Sequence, residues 1–137
     1  MAESSASKKI LVVDDEPANV ELMADVLRSA GYATLPANSG REALAVLAKE
    51  KPAAILLDMR MPGMDGFEVI RRVRENPETH DLPIMVITAM LYEGAEQEKL
   101  RSETQHIFLK GTFLVEELLS EVKRVVEGRS IGKAGGQ

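Results

Sequence analysis

A short apolar run that ends in a carboxylate constrains the fold of this chain more than any other feature. Residues 53–57 are Ala-Ala-Ile-Leu-Leu, Asp58 follows, and residues 59–66 are rich in turn-forming residues. An unbroken apolar run between turn signals is typical of a strand buried on both faces, as in a parallel sheet. Asp58 is then the last strand residue, at the edge where open α/β sheets place their chemistry. Because a buried carboxylate without partners is costly, we expect other residues to compensate it.

Length, composition and charge narrow the class of protein. A chain of 137 residues with 45% hydrophobic and 28% charged residues suits one globular domain. Its formal net charge of -5 argues against direct binding to nucleic acid or to a membrane surface. No apolar run is long enough to span a bilayer, and the N-terminus lacks the apolar segment of a signal peptide. The absence of cysteine excludes thiolate metal sites and is compatible with a cytoplasmic protein.

Short strand patterns alternate with helical patterns five times along the chain. The predicted strands are residues 10–13, 32–37, 53–58, 83–88 and 106–109. Pro17 suits the first turn of a helix, and Ser39 with Glu42, like Asp65 with Glu68, has the spacing of an N-cap and its third helical residue. The alternation predicts an α/β fold, a doubly wound parallel sheet with right-handed crossovers.

Two helical segments differ in the strength of their apolar stripes. Residues 92–102 carry a thin stripe and an internal Gly94, so this is the least securely anchored helix. The last helix has a clear stripe that includes Leu114, and Gly128 is expected to end it. The predicted organisation is a disordered N-terminus (1–7), one folded domain (8–127) and a disordered tail (128–137).

Two groups of residues outside the strand ends, three arginines and several methionines, can be explained by structure without a functional role. Arg71, Arg72 and Arg74 are expected to form a solvated helix face rather than a docking surface. The methionines after Asp58 fit either loop packing or a deformable partner surface, and the sequence does not separate these alternatives.

The residues that end the strands meet along one edge, because all strands of a parallel sheet point the same way. They are Asp14, Asp15, Asp58, Thr88 and Lys110. Clustered carboxylates repel one another unless a cation intervenes, and Lys110 supplies only one positive charge. The surplus negative charge and the oxygen ligands favour a hard divalent ion, Mg²⁺. Carboxylates, a metal, an ammonium and a hydroxyl are together suited to phosphoryl transfer onto a carboxylate.

At these positions the chain resembles the receiver domain of two-component response regulators, like the single-domain chemotaxis regulators. The resemblance rests on four segments in order and at family spacing: 12–16 (Val-Val-Asp-Asp-Glu), 57–66 (Leu-Asp-Met-Arg-Met-Pro-Gly-Met-Asp-Gly), 87–89 (Ile-Thr-Ala) and 109–110 (Leu-Lys). It covers roughly residues 8–127 and implies a flavodoxin-like (βα)5 sheet with strand order 2-1-3-4-5.

The resemblance also implies roles for the acidic residues. Asp58 corresponds to the residue that accepts a phosphoryl group from a histidine kinase. Asp15 and Asp58 correspond to side-chain ligands of Mg²⁺, joined by the backbone carbonyl of Arg60. Asp14 corresponds to the acid that reaches the metal through water.

The remaining implied roles concern switching and partners. Thr88 corresponds to the switch hydroxyl and Lys110 to the phosphate-binding lysine, with residues 92–102 and 106–109 as the moving surface. The implied partners are a histidine kinase or histidine phosphotransfer protein and a downstream protein target, and a phosphorylation-dependent dimer is compatible with the family. Phosphorylation and slow hydrolysis would be self-catalysed, so we expect a phosphoacceptor rather than an enzyme, with no effector domain in this chain.

Two departures from the family pattern lie near Lys110. The family usually follows this lysine with a cis proline, whereas Gly111 stands here; a cis bond before glycine is improbable, so the loop is expected to use glycine's freedom. Ile107 stands where the family often has a rotating Tyr or Phe, and strand alternation points Phe108 to the opposite face.

Two other hypotheses remain open. The departures near Lys110 would suit a receiver-like interaction module with a degenerate switch. An enzyme of another class fits less well, since an aspartate-nucleophile phosphatase would want an acid where Arg60 stands. A dinucleotide or flavin binder would want a Gly- or Thr-rich loop after the first strand, where residues 14–16 are acids.

Overall fold

Five parallel strands form one sheet in the order β2-β1-β3-β4-β5. This computed structural model describes residues 8–135, with side chains through residue 127. The elements are β1 Lys9–Val13, α1 Pro17–Ser29, β2 Ala33–Ala37, α2 Gly40–Lys49, β3 Ala54–Asp58, α3 Gly66–Glu75, β4 Ile84–Thr88, α4 Gly94–Glu103, β5 His106–Leu109 and α5 Val115–Gly135. The predicted doubly wound, flavodoxin-like architecture and strand order are confirmed.

Alternate residues of the central strands build two apolar cores, one on each face of the sheet. Leu11, Ile55 and Leu57 pack with residues of α2, α3 and α4 on one face. Ile10 and Leu56 pack with residues of α1 and α5 on the other. Full burial of a side chain of this size stabilises the fold by about 1.5–3 kcal/mol. Burial on both faces explains why β3 is an unbroken apolar run.

The helix starts lie where the sequence places them. Pro17 is in the first turn of α1, Ser39 Oγ accepts a hydrogen bond from the backbone N–H of Glu42 (3.0 Å), and Asp65 Oδ1 accepts from that of Glu68 (3.0 Å). These caps satisfy N–H groups that have no partner inside the helix. They also fix where the chain turns after β2 and β3, and therefore where the strand ends project.

Gly66, the first residue of α3, lies against the segment that follows Asp58. Its N–H donates to the Met59 carbonyl (3.0 Å), and a Cβ at this position would lie 2.7 Å from Met59 Cα. A backbone atom cannot move aside as a flexible side chain can. The helix can therefore approach the end of β3 this closely only because residue 66 has no side chain.

Gly66→Ala is expected to lower the free energy of unfolding by about 1–3 kcal/mol, the usual cost of overpacking. Urea denaturation measures the change. Gly40→Ala is the matched comparison, because the three atoms nearest its Cβ would be side-chain atoms of Met64 and Val69, each 2.9 Å away, and none of them belongs to the backbone. Equal losses in the two variants would show that close backbone approach at Gly66 is not the cause.

The last two helices differ from the sequence-based expectation. α4 begins at Gly94, whose φ is +62°, so this glycine starts the helix instead of lying inside it. Leu114 precedes α5 and is 62% exposed, so it is not part of the buried stripe. The backbone of α5 continues as a helix to Gly135, beyond Gly128, where the sequence predicts its end. The disordered tail proposed for residues 128–137 stays a prediction. Residues 1–7 and 136–137 lie outside the described part.

The arginine cluster of α3 divides into two kinds of side chain. Arg71 and Arg72 are exposed and pair with Glu68, as expected of a solvated face. Arg74 is half-buried and donates to the backbone carbonyls of Glu103 (2.7 Å), His80 (2.9 Å) and Leu82 (2.8 Å). The prediction of a solvated face is therefore wrong for Arg74, which ties α3 to the loop before β4 and to the last residue of α4.

In the part of the chain that the structure describes, no helix combines the length and the apolar character needed to cross a bilayer.

Candidate functional site

The strand ends bring three carboxylates and an amine together at the carboxyl edge of the sheet. Carboxylate oxygens of Asp14, Asp15 and Asp58 all lie within 4.8 Å of one another. Lys110 Nζ lies 3.5 Å from Asp14 Oδ2 and 3.5 Å from Asp58 Oδ1. The four residues come from β1, β3 and β5, or directly after them. The predicted convergence of distant side chains at one rim is therefore found in the structure.

Asp58 is a buried carboxylate with compensating neighbours. It is 4% exposed, and its Oδ1 accepts a hydrogen bond from the backbone N–H of Arg60 (3.3 Å). Burial raises the pKa of Asp58, and the charge of Asp14 raises it further, whereas Lys110 and the Arg60 N–H lower it. The net direction is upward. Ionised Asp58 therefore destabilises the folded state, and the charge of Lys110 offsets only part of this effect.

Asp14 is fixed in orientation by groups that the sequence patterns did not single out. Its Oδ1 accepts from the Glu16 N–H (3.0 Å), and its Oδ2 lies 3.3 Å from the Asn19 amide nitrogen. The Asn38 side chain donates to the Asp14 backbone carbonyl (3.2 Å). These asparagines hold the acidic pair from α1 and from the end of β2. No sequence motif identifies these two asparagines, because each contacts Asp14 only after separate parts of the chain have come together in the fold.

Thr88 is the most buried polar residue of the site, at 1% exposure. Its hydroxyl lies 3.3 Å from both the backbone nitrogen and the backbone oxygen of Met90, so it is engaged within its own loop. Its backbone carbonyl accepts from the Lys110 N–H (2.8 Å). The structure therefore places Thr88 at the rim and couples its backbone to Lys110, while the hydroxyl is turned to the β4–α4 loop.

The loop after Lys110 uses glycine as expected. Gly111 has a φ of +84°, in the left-handed region that favours glycine, and residues 8–135 contain no cis peptide bond. Ile107 packs against the core of α2, α3 and α4. Phe108 is buried on the other face, with its ring centroid 5.1 Å from that of Phe113. The predicted alternation of these two side chains is confirmed.

A groove of about 500 Å³ lies beside the acidic cluster. It is lined by residues from the β3–α3 loop, from α3, from the segment after β4 and from α4: Met59, Arg60, Met61, Pro62, Asp65, Phe67, Met90, Tyr92 and Glu96. Met59 and Met61 are buried, so loop packing accounts for them. Arg60 Nη1 lies 3.8 Å from the Met90 sulfur, and this contact joins the two loops that border the groove.

The carboxylate cluster fits a hard divalent cation. Every side-chain ligand it offers is an oxygen, and three carboxylates near one ammonium leave surplus negative charge. Nitrogen or sulfur ligands that would favour a softer metal are absent from this cluster. The arrangement can therefore hold a divalent ion with open positions and present Asp58 to an anionic group beside it.

The sequence matches the response regulator receiver domain model over residues 10–123. Response regulator PleD of Caulobacter vibrioides is 41% identical over 104 residues, which cover 76% of this chain and 23% of PleD. The polar-differentiation response regulator DivK of Brucella ovis is 26% identical over 117 residues, covering 85% of this chain and 94% of DivK. The chain thus spans only a small part of PleD but nearly the whole of DivK.

Solved structures share the fold. Chemotaxis protein CheY4 of Vibrio cholerae superimposes with a TM-score of 0.78 at 33% identity, covering 87% of this chain and 98% of that one. The receiver domain of sensor histidine kinase PA1611 from Pseudomonas aeruginosa, described with a magnesium ion coordinated in its active site cleft, gives a TM-score of 0.78 at 28% identity, with coverages of 88% and 98%. Sequence model, relatives and fold agree, and the chain belongs to the family of response regulator receiver domains.

Proposed function

We propose that this receiver domain accepts a phosphoryl group on Asp58 from a histidine kinase or a histidine phosphotransfer protein, and that phosphorylation shifts a protein-binding surface. The observation that carries the proposal is the position of Lys110 Nζ, 3.5 Å from both Asp58 and Asp14 at the carboxyl edge of the sheet. A buried carboxylate beside an amine and two further acids is the arrangement that phosphoryl transfer to aspartate requires.

In the transfer, a carboxylate oxygen of Asp58 attacks the phosphorus atom. The new O–P bond forms while the P–N bond of the phosphohistidine breaks, and its electron pair returns to the imidazole nitrogen. Only ionised Asp58 is a nucleophile. Lys110 and the Arg60 N–H favour that form, because both lower the pKa of the carboxyl group against the effect of burial.

Asp14, Asp15 and Asp58 are the side chains that would hold Mg²⁺, with the backbone carbonyl of Arg60 as a further ligand by family resemblance. The ion would neutralise charge on the transferring phosphoryl group. Asn19 and Asn38 would keep Asp14 oriented toward it. The site needs no other cofactor for this chemistry.

The conformational switch would use Thr88 and Lys110, the two strand-end residues that do not hold the metal. A phosphoryl group on Asp58 offers oxygens to the Thr88 hydroxyl and to Lys110, and Thr88 must give up its contacts with the Met90 backbone to bind them. The transfer would therefore favour a second arrangement of the β4–α4 loop, with α4 and β5 as the moving surface. That surface would bind a downstream protein or a second phosphorylated copy. The chain would act as a self-modifying phosphoacceptor and not as an enzyme on a free substrate.

Incubation with acetyl phosphate and Mg²⁺ tests the chemistry. Intact-mass measurement should show the gain of one phosphoryl group, which Mg²⁺ chelation prevents. Borohydride reduction turns an aspartyl phosphate into homoserine and so marks its position. Because Arg60 separates Asp58 from Asp65, trypsin places them in different peptides, residues 50–60 and 61–71. The mark is expected in the peptide 50–60.

No mass gain, or a mark in any other peptide, contradicts the proposal. Phosphorylation at Asp58 without any change in the amide NMR signals of α4 and β5 would instead favour a receiver-like module that no longer switches. Transfer from a purified phosphorylated histidine kinase, compared with transfer from a free phosphohistidine donor, distinguishes a protein source from a small-molecule one.

A further inference from the structure

The segment between Thr88 and α4 is held to the rest of the molecule by few contacts. Met90 is 41% exposed and Leu91 is 76% exposed. Leu100 is the single buried residue of α4. Tyr92, by contrast, is partly buried and packs against the core of α2, α3 and α4. The side chain of Tyr92 is therefore the main apolar attachment of this segment.

The partner of Tyr92 is an aromatic residue of α3. The ring centroids of Phe67 and Tyr92 are 5.3 Å apart with an interplanar angle of 87°, an edge-to-face arrangement that aromatic rings prefer. Phe67 is the second residue of α3, close to the end of the loop that starts at Asp58. The pair therefore joins the first turn of α3 to the loop after β4, and both rings line the groove.

The same β4–α4 segment carries the Thr88 hydroxyl contacts. Tyr92 lies two residues beyond Met90, whose backbone nitrogen and oxygen are 3.3 Å from Thr88 Oγ1. A movement that brings this hydroxyl toward Asp58 breaks those contacts and so removes part of what holds the segment in place. Contact between Tyr92 and Phe67 resists that displacement.

The far end of α4 is fixed differently. Arg74 donates from Nε (3.1 Å) and Nη2 (2.7 Å) to the carbonyl of Glu103, the last residue of the helix. The guanidinium also binds carbonyls of the loop before β4. The helix is thus tied by several charge-assisted hydrogen bonds at its C-terminal end. The segment before its N-terminal end is tied by the ring contact of Tyr92 with Phe67 and by the weak contact of Arg60 with the Met90 sulfur. Motion is expected where the attachment is weaker.

We propose that Tyr92 is a positioning residue for the switch: its contact with Phe67 holds the Thr88 loop in the arrangement seen here, and phosphorylation of Asp58 releases it. The inference rests on the proposed phosphoacceptor function. Tyr92 and Ile107 pack against the same apolar core, so the β4–α4 segment and β5 share one apolar surface.

The first test compares labelling rates. Removing the ring should make the phosphorylation-competent arrangement easier to reach, so Tyr92→Leu is expected to raise the initial rate of labelling by acetyl phosphate and Mg²⁺ roughly 2- to 10-fold, the factor that one aromatic pair supplies. Phe67→Leu should give a similar increase, and the double variant no more than either single one. Tyr92→Phe keeps the ring contact and should label within about twofold of the original chain.

Arg74→Gln is the matched control for general loosening of α4. It should lower the melting temperature, because it removes hydrogen bonds to three backbone carbonyls, yet leave the labelling rate unchanged. A merely structural role for Tyr92 would also lower stability without raising the rate. Acceleration by Arg74→Gln equal to that of Tyr92→Leu would overturn the specific role of Tyr92.

Tyrosine fluorescence supplies a readout independent of labelling. The chain has two tyrosines and no tryptophan, so Tyr92 is the only emitter in a Tyr32→Phe background. Acrylamide quenching of Tyr92 should increase when Mg²⁺ and acetyl phosphate are added. Suppose that the original chain is labelled at Asp58. If Tyr92→Leu is then labelled at the same rate, or if acrylamide quenching of Tyr92 does not change, the role of Tyr92 is overturned and the proposed function is not. A chain that takes up no phosphoryl group overturns the proposed function and this inference with it.

Discussion

Asp58→Asn is expected to take up no phosphoryl group and, at neutral pH without Mg²⁺, to unfold at a higher temperature than the unsubstituted chain. The amide oxygen is not a nucleophile for phosphorus, so labelling should fall to background. The amide also carries no charge to bury and none to repel Asp14, the two effects that raise the pKa of Asp58 in the fold. Removing the carboxylate thus removes a destabilising charge together with the function.

The pH dependence of this difference follows from the direction of the shift. A carboxyl group whose pKa is raised by folding favours the folded state when protonated, and this contribution is lost as pH rises through the folded-state pKa. The original chain should therefore gain stability relative to Asp58→Asn as pH falls. The melting-temperature gap is expected to narrow as pH falls through the raised folded-state pKa and to close below the ordinary pKa of aspartate, about 3.9.

Asp65→Asn is the matched control, because it makes the same chemical change nearby. Asp65 is exposed and caps α3, and asparagine caps a helix about as well as aspartate. This variant should keep both phosphorylation and melting temperature. If Asp58→Asn melts lower than the original chain at neutral pH, the contacts with Lys110 and Arg60 outweigh burial and repulsion, and the balance inferred for Asp58 is wrong.

The sequence could predict those parts of the molecule that depend on regular patterns. β3 was identifiable because a strand buried on both faces needs an unbroken apolar run. Ser39 and Asp65 were identifiable because capping is a local interaction across three residues. The clustering of Asp14, Asp58 and Lys110 followed from strand direction alone, since parallel strands end at one rim.

The parts that patterns could not predict depend on where loops meet. Helical spacing placed Arg74 on the solvent side, but the loop before β4 folds back and brings carbonyls to its guanidinium. The contact of Tyr92 with Phe67 joins a loop to a helix that is distant in sequence, and the orientation of the Thr88 hydroxyl depends on Met90. Such contacts leave no periodic pattern in the sequence, so they cannot be predicted from it. They are also the contacts that would change in the proposed switch.

Lys110→Met should destabilise the domain at neutral pH without Mg²⁺ and slow phosphorylation severely. Methionine keeps most of the side-chain length but removes the charge that faces two buried carboxylates, whose side chains are 10% (Asp14) and 5% (Asp58) exposed. Removing one partner of a buried ion pair costs about 3–5 kcal/mol. Because the Lys110 side chain is 33% exposed and partly screened by water, we expect a loss of about 1–3 kcal/mol in the free energy of unfolding.

A double-mutant cycle separates the charge effect from packing. If part of the cost of Lys110→Met comes from leaving Asp58 without its cation, the same substitution should cost less in an Asp58→Asn background, where only Asp14 still loses the charge, as measured by urea denaturation. Mg²⁺ should restore part of the lost stability in Lys110→Met but less in the double variant, because the ion would take over the neutralisation of the carboxylates. Lys110→Arg, which keeps the charge, should stay close to the original chain in stability. An equal cost of Lys110→Met in both backgrounds would mean that the amine does not stabilise the ionised Asp58, and Lys110 would then lose its place in the proposed phosphoryl site.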